Sequence, residues 1–470
     1  MQSETTGMLF GQVGGSFRDP AGQVFDDGNT ILRTVKRIKF DEFMALETQG
    51  VFEKLTRRGV VVGSEDVTSQ YPEMVADDVK RILRHERLNY ISYPYEWSFS
   101  QLKDAALLTL DLQIDLLENE DTTLSDNTAY NVQFDGYRPV FIDVLSFEKY
   151  VEGRPWVGYG QFCQQFLNPL VMMAKLGVDF RHWFRGNVEG IATTDLAKML
   201  KLRHLMSPGI LTHVYLHAKA LEAAQRGEQN GASDKPQATL SKTKHLALLK
   251  YMRAFVNTLN CGPKASTWGD YEATHTYDDS EFGQKRKFVA EFVGNAAPNM
   301  LFDLGCNAGE FSKLSLEAGA KNVIGFDFDP NAVDVAYQRA KAGKLNFLPL
   351  QLDAFNPSPS QGWRQNERFG FEDRAKGDAM IALAFEHHLA IAKNTPLDQT
   401  ISWLAGLAPR GVIEFVPKND PTVQIMLRGR EDIFPDYAQD AFEAILARHG
   451  KIVKQKQVTE HGRVLYEYQR

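Results

Sequence analysis

An α/β fold is predicted for the carboxyl-terminal part of this 470-residue chain by three features. The stretch from Asn299 to Ser312 is an apolar run followed by Gly305-Cys306-Asn307-Ala308-Gly309 and a helical pattern, so it reads as a buried strand, a glycine turn and a helix. A second apolar run, Asn322 to Asp327, ends in a carboxylate 24 residues after Asp303, the spacing of a β-α-β unit whose acidic residue takes a ribose diol. Three more strands follow, from Leu345 to Leu352, from Asp378 to Leu383 and from Gly411 to Lys418.

Composition bounds the rest. The length exceeds one ordinary core and suggests two or three units. A hydrophobic fraction of 43% with 24% charged residues is that of a globular protein, and no apolar run approaches the roughly 18 residues of a membrane span. Met1 to Thr6 has neither the basic nor the apolar region of a secretory signal, and Cys163, Cys261 and Cys306 are too far apart for a disulfide framework; a cytoplasmic protein is expected. The net charge of −7 argues against a general nucleic-acid surface.

From the amino terminus, β-rich runs flank the turn Asp26-Asp27-Gly28-Asn29 as a hairpin. A helix over 41–57, the β-branched run Val60-Val61-Val62 and a helix over 99–118 come next. Asp126 and Asn131 then share one loop, and a hairpin turning at Asp135-Gly136 delivers Asp143. This order resembles the catalytic centre of the protein-kinase-like fold, in which an Asp and an Asn share a loop and a second Asp binds metal. The resemblance implies a kinase-like, α+β domain over residues 1–235, with Asp126, Asn131 and Asp143 on a Mg-nucleotide. The letters depart from it: no His-Arg precedes Asp126, Thr128 stands where protein kinases carry Lys, and Val144-Leu145 replaces Phe-Gly. Arg33 is the candidate replacement for the nucleotide-binding Lys of the upstream strand. The alternative is a surface loop whose Asp and Asn residues only make turns.

The pattern from Trp156 to Ala224 is helical, with Tyr159, Phe162, Phe166 and Leu170 as core, and the polar run from Gln225 to Pro236 reads as a linker. Residues 236–295 form a helical connector and cover, and residues 296–470 a further domain. The turn after Asp303 is G-x-x-x-G, not the G-x-G-x-x-G that seats a pyrophosphate. It resembles the first motif of class I S-adenosylmethionine-dependent methyltransferases, which implies a Rossmann-like domain. By that resemblance Asp303, Gly305, Asn307 and Gly309 line the methionine part of the cofactor, Asp327 binds the ribose hydroxyls and Asp353 faces the adenine amino group. The cover segment would bring Tyr271, His275 and Tyr277 to the sulfonium, and Lys285 or Arg286 to the methionine carboxylate.

Methyl transfer requires alignment of acceptor and methyl, removal of the acceptor's proton, and no metal. Glu386, His387 and His388 follow the fourth strand, on the side where an open α/β sheet binds ligands, and are the candidate catalytic groups; packing or capping is the alternative. Glu414, on an apolar strand, is costly unless paired or facing a cavity, and Arg428 and Arg430 are candidates for an anionic acceptor group.

Taken with Tyr95 to Phe99, Tyr130 to Phe134, Phe141 to Phe147 and Glu414 to Lys418, the chain resembles bacterial two-part proteins with kinase-like and methyltransferase halves, some nodulation- or polysaccharide-associated. This implies methylation of a small molecule, saccharide or glycolipid, at oxygen. The alternatives are a bifunctional kinase-methyltransferase, or a methyltransferase of protein or RNA whose amino-terminal half is a docking module.

Overall fold

A computed structural model describes residues 11–229, 239–262, 279–429 and 431–470. The chain forms two compact units. Of the described residues, unit 1 holds 11–134, 139–229, 239–262 and 360–369; unit 2 holds 135–138, 279–359, 370–429 and 431–470. In the segment 236–295, the described residues 239–262 belong to unit 1 and 279–295 to unit 2. Of the linker, residues 225–229 end the helix His217–Gln229, and 230–236 lie outside the described residues.

In unit 1, β1 (Gly11–Gln12), β2 (Val24–Asp26), β3 (Ile31–Lys36), β4 (Ser64–Asp66) and β5 (Val79–His85) form a five-stranded sheet in the order β1-β2-β3-β5-β4. Every pairing in it is antiparallel, and β2 and β3 make the hairpin expected around Asp26 to Asn29. The expected single helix over 41–57 is two helices, Arg37–Thr48 and Val51–Arg57, because Gly50 between them takes φ of 72°, which no helix continues through. Val61 makes only an isolated bridge to Phe141.

The helix Phe99–Asn119 starts as the sequence expects. Ser98 accepts from the Gln101 N–H at 3.2 Å while the Gln101 side chain accepts from the Ser98 N–H at 2.8 Å, a capping box that fixes the first turn. Just before it, Trp97 is fully buried and donates its ring N–H to Ser92. Next come β6 (Thr122–Leu124), β7 (Val132–Asp135), β8 (Arg138–Phe141) and β9 (Phe147–Lys149) as two small two-stranded sheets, β6 with β9 and β7 with β8.

Unit 2 is a seven-stranded sheet of β10 (Met300–Leu304), β11 (Asn322–Asp327), β12 (Phe347–Gln351), β13 (Ala379–Ala382), β14 (Arg410–Phe415), β15 (Lys451–Gln457) and β16 (Val464–Gln469). Its order is β12-β11-β10-β13-β14-β16-β15. The first five strands in that order are parallel, and β16 runs antiparallel to β14 and β15. The final antiparallel pair has no counterpart in the sequence reading, since its lysine- and glutamine-rich β15 lacks an apolar run. Leu301, Val323, Phe347, Ile381, Val412 and Leu465 bury one face of the sheet against Phe288, Val289, Phe292 and Val293 of the helix Asp279–Ala296. Each such side chain contributes about 1.5–3 kcal/mol. The order reverses at β10, so the carboxyl ends of β10 and β13 flank a topological switch point, where open α/β sheets bind ligands.

Candidate functional site

At the end of β10 the chain turns sharply through residues that require unusual backbone. Gly305 has φ of 76°, Asn307 47° and Gly309 83°. A Cβ on Gly309 would lie 2.5 Å from the Phe347 ring, so packing as well as dihedral angle excludes a side chain there, and one on Gly305 would lie 3.0 Å from the Phe385 ring, a tight contact added to the strain of its positive φ. Gly309 begins the helix Glu310–Glu317 without a side-chain cap, which leaves its first N–H groups directed at the switch point.

Asp327, at the end of β11, faces this turn. Its carboxylate accepts from the Asn307 N–H at 2.8 Å and from the Asp329 N–H at 2.8 Å, and no cation pairs with it among the described residues. Burial pushes its carboxyl up to about 6, against the lowering effect of those backbone donors. The oxygens retain lone pairs for further donors. Asp353, after β12, is half-buried and accepts from the Phe355 N–H at 3.1 Å.

Asp303 behaves differently from its expected place in the cradle. It is 1% exposed and accepts from Ser312 Oγ at 2.6 Å, pinning the helix Glu310–Glu317 to β10 beneath the turn. Burial raises its carboxyl to about 7. It therefore supports the turn from inside in this conformation.

Glu386, His387 and His388 do follow β13, after Ala384 with φ of 50°. Glu386 has no exposed surface; one oxygen accepts from the Val416 N–H at 2.9 Å and from Tyr437 OH at 2.8 Å, and the other lies 3.1 Å from His387 Nδ1. Burial raises the Glu386 carboxyl to about 8, so at neutral pH it is protonated and can donate to the imidazole. His387 is also buried and lies against His388, with 4.3 Å between ring centroids and the rings tilted by 39°. His388 is the member of the three that keeps partial exposure. Burial pushes both imidazoles down to about 3, away from the ordinary value the sequence suggested.

Lys285 is not free for a ligand carboxylate. It is buried and pairs with Glu414 at 2.6 Å, and Glu414 also accepts from the Ala384 N–H at 2.8 Å. The expectation that Glu414 needs a partner is met by these two donors, which tie β14 to the loop after β13. Arg463 extends the buried cluster through two bonds to Asp420, at 2.7 and 3.0 Å. Arg463 and Tyr437 carry no local sequence signal of these roles, because their partners lie 43 and 51 residues away along the chain. Arg286 pairs with Glu310. Arg428 is exposed after the helix Pro421–Leu427, whereas Tyr271, His275, Tyr277 and Arg430 lie outside the described residues.

In unit 1, Asp126, Asn131 and Asp143 do come together. Asn131 Nδ2 lies 3.4 Å from Asp143 Oδ2, and burial together with the nearby Asp143 charge raises the Asp126 carboxyl. The counter-charge of Asp143 in the fold is Arg33 on β3, at 2.7 Å, and the same guanidinium reaches Asp19 at 2.6 Å. Among the described residues no cluster of His, Cys, Asp and Glu has a metal-holding arrangement. Arg33, the residue expected to replace the nucleotide-binding Lys of the upstream strand, is thus the cation beside Asp143.

The segment 360–369, although flanked by unit 2 sequence, packs on unit 1. Glu367 accepts two bonds from Arg18, both 2.9 Å, and the Arg368 guanidinium lies 4.1 Å over the Tyr130 ring. A Cβ on Gly14 would lie 1.6 Å from the Asn366 carbonyl oxygen, so the Gly14-Gly15 turn accepts this segment backbone to backbone.

The nodulation protein NoeA of Rhizobium meliloti (strain 1021) is 44% identical over 461 residues, covering 98% of this chain and 96% of the relative. No family model matches the chain. Among solved structures, the N-methyltransferase NodS from Bradyrhizobium japonicum WM9 is 16% identical, covering 41% of this chain and 99% of its own, with a TM-score of 0.30. The magnesium protoporphyrin IX methyltransferase ChlM from Synechocystis PCC 6803, with bound SAH, is 22% identical, covering 40% and 84%, with a TM-score of 0.29. No helix among the described residues is long and apolar enough to cross a membrane.

Proposed function

The chain belongs to the family of the nodulation protein NoeA, and from that premise we propose that it is an S-adenosylmethionine-dependent methyltransferase working at the switch point of unit 2. One observation carries the reading: the Asp327 carboxylate, whose partners among the described residues are backbone N–H groups and not a cation, faces the left-handed Gly305–Gly309 turn across the ends of two adjacent parallel strands. Bound there, the cofactor would supply a methyl group on a positively charged sulfur. Asp327 would take the ribose hydroxyls, Asp353 the adenine amino group, and the Gly305–Gly309 turn with Asn307 the methionine part.

His388 is the residue we place beside the acceptor. It is half-buried and unprotonated at neutral pH, with the His387 ring, itself held by Glu386, against it; burial lowers its basicity in this conformation, so its role as base requires that the bound acceptor and cofactor raise it. We assign a small-molecule, saccharide or glycolipid acceptor methylated at oxygen, by resemblance to nodulation- and polysaccharide-associated methyltransferases.

For unit 1, a kinase-like architecture is supported by the order of sheet, helix, Asp-bearing loop and Asp-bearing hairpin. The Arg33–Asp143 pair favours a docking module over phosphoryl transfer.

The test incubates the full chain with methyl-labelled S-adenosylmethionine and bacterial extracts, with mass spectrometry of any labelled product. Label transfer to a sugar-containing or other small molecule is expected, and no cofactor binding by calorimetry would sink the reading. His388→Gln should lower turnover about 10- to 100-fold with cofactor affinity unchanged. Normal turnover would place the base elsewhere.

A further inference from the structure

The short 3-10 turn Leu202–Met206 in unit 1 presents its apolar residues to water. Leu202 and Met206 are each 85% exposed, in a segment reading Lys201-Leu202-Arg203-His204-Leu205-Met206. A single exposed leucine needs no explanation. Two almost fully exposed apolar side chains on one turn, beside several cations, do.

Lys175, Lys201 and Arg203 are exposed, and none of them pairs with a carboxylate among the described residues. All three act electrostatically on His204, which places their charges around this one turn. The neighbouring Lys198, by contrast, is neutralised by Asp195 at 2.9 Å. The whole chain carries a net charge of −7, so a patch of three unpaired cations runs against its background.

We propose that this turn is a docking surface for an anionic lipid bilayer, with Leu202 and Met206 entering the headgroup boundary and Lys175, Lys201 and Arg203 pairing with lipid phosphates. Apolar side chains ringed by cations match such an interface in both its terms, since apolar burial and attraction to anionic headgroups add. An acidic protein partner would use the cations but gives no reason for two apolar side chains held clear of the fold. The inference stands apart from methyl transfer, and its failure would leave that reading intact.

The experiment is co-sedimentation of the full chain with phosphatidylcholine vesicles, with and without about one third phosphatidylglycerol, at two salt concentrations. Binding is expected with the anionic vesicles only, and is expected to weaken with salt. Leu202→Ser with Met206→Ser, and separately Lys201→Glu with Arg203→Glu, should each lower partitioning by about tenfold or more, with melting temperature unchanged. Lys287→Glu with Lys313→Glu, an equal change of charge on exposed helices of unit 2, should not. The proposal is overturned by absence of binding to anionic vesicles, by equal binding to zwitterionic ones, or by equal losses in patch and control variants. Concentration-dependent dimerisation abolished by Leu202→Ser with Met206→Ser, without vesicle binding, would assign the turn to a second copy instead.

Discussion

Asp327 and Asp143 are both half-buried carboxylates that follow strands, yet they are prepared for different things. Among the described residues Asp327 is held by backbone N–H groups and by no cation, and burial keeps its carboxyl near 6. Asp143 is held by the full charge of Arg33, which also binds Asp19. A carboxylate oriented by backbone dipoles keeps its appetite for further donors; one already paired with a guanidinium has spent it. The acidic residue alone therefore does not mark a ligand site, and the nature of its counter-charge does.

The largest expected effect comes from removing that guanidinium. Arg33→Met leaves Asp143 and Asp19 facing each other without compensation, and should destabilise unit 1 by about 2–4 kcal/mol, somewhat below a fully buried pair because both carboxylates keep some solvent contact. Urea denaturation followed in the full chain reads this. A rise in the melting temperature of the native chain on addition of magnesium nucleotide would break the contrast, since it would mean that Arg33 yields the site.

Asp327→Ala comes next. It removes hydrogen bonds to the cofactor's ribose, a net loss of about 1.5–3 kcal/mol once water takes their place. Calorimetry should show S-adenosylmethionine affinity down by at least tenfold, and the affinity of the native chain falling as pH drops through about 6, where the Asp327 carboxylate takes up its proton. Equal affinity in variant and native chain would remove Asp327 from the site.

Glu386→Gln sharpens the comparison through stability. Burial holds the Glu386 carboxyl at about 8, above the ordinary 4.5, so the folded chain keeps a proton there that the unfolded chain releases. Stability from this group is complete below about pH 4.5 and is lost as pH rises through about 8. Glutamine mimics the protonated acid toward Val416, Tyr437 and His387. The variant should match the native chain near pH 5 and exceed it by one or a few kcal/mol near pH 9, read from melting curves. A variant less stable at both ends would show that Glu386 is ionised in the fold.

The smallest effect belongs to Asp353→Ala, which removes a single bond to the adenine amino group and should weaken the cofactor by about 1 kcal/mol, several-fold in calorimetry. A loss as large as that of Asp327→Ala would move the ribose contact to Asp353.

The sequence made the switch point readable because its signals are local. Strand, turn and helix from Asn299 to Ser312 are set by neighbouring residues, and the left-handed backbone at Gly305 and Gly309 demands glycine whatever lies around it. The capping box at Ser98 and Gln101 is equally local. Long-range partners were not readable. Glu386 looks like a catalytic acid until Tyr437, 51 residues on, takes its oxygen, and Lys285 looks available until Glu414, 129 residues on, pairs with it. The β15–β16 pair escaped for a different reason: β15 carries polar residues on both faces and so has no period to detect.

The segment 360–369 bears on the order in which the chain can fold. The Gly14-Gly15 turn is among the first parts of unit 1 to be synthesised, yet the backbone that fits against it, at Asn366, arrives about a hundred residues after unit 1 otherwise ends at Gly262. At a synthesis rate of about 5–20 residues per second, that interval is on the order of 5–20 s. During it unit 1 exists without this segment, and the backbone of the Gly14-Gly15 turn lacks the neighbour that covers it in the whole chain. Premature termination anywhere between residues 263 and 359 would therefore release a unit 1 that lacks the clasp of Arg18 on Glu367, a fragment expected to be more readily cleaved near its amino terminus than the same residues in the whole chain.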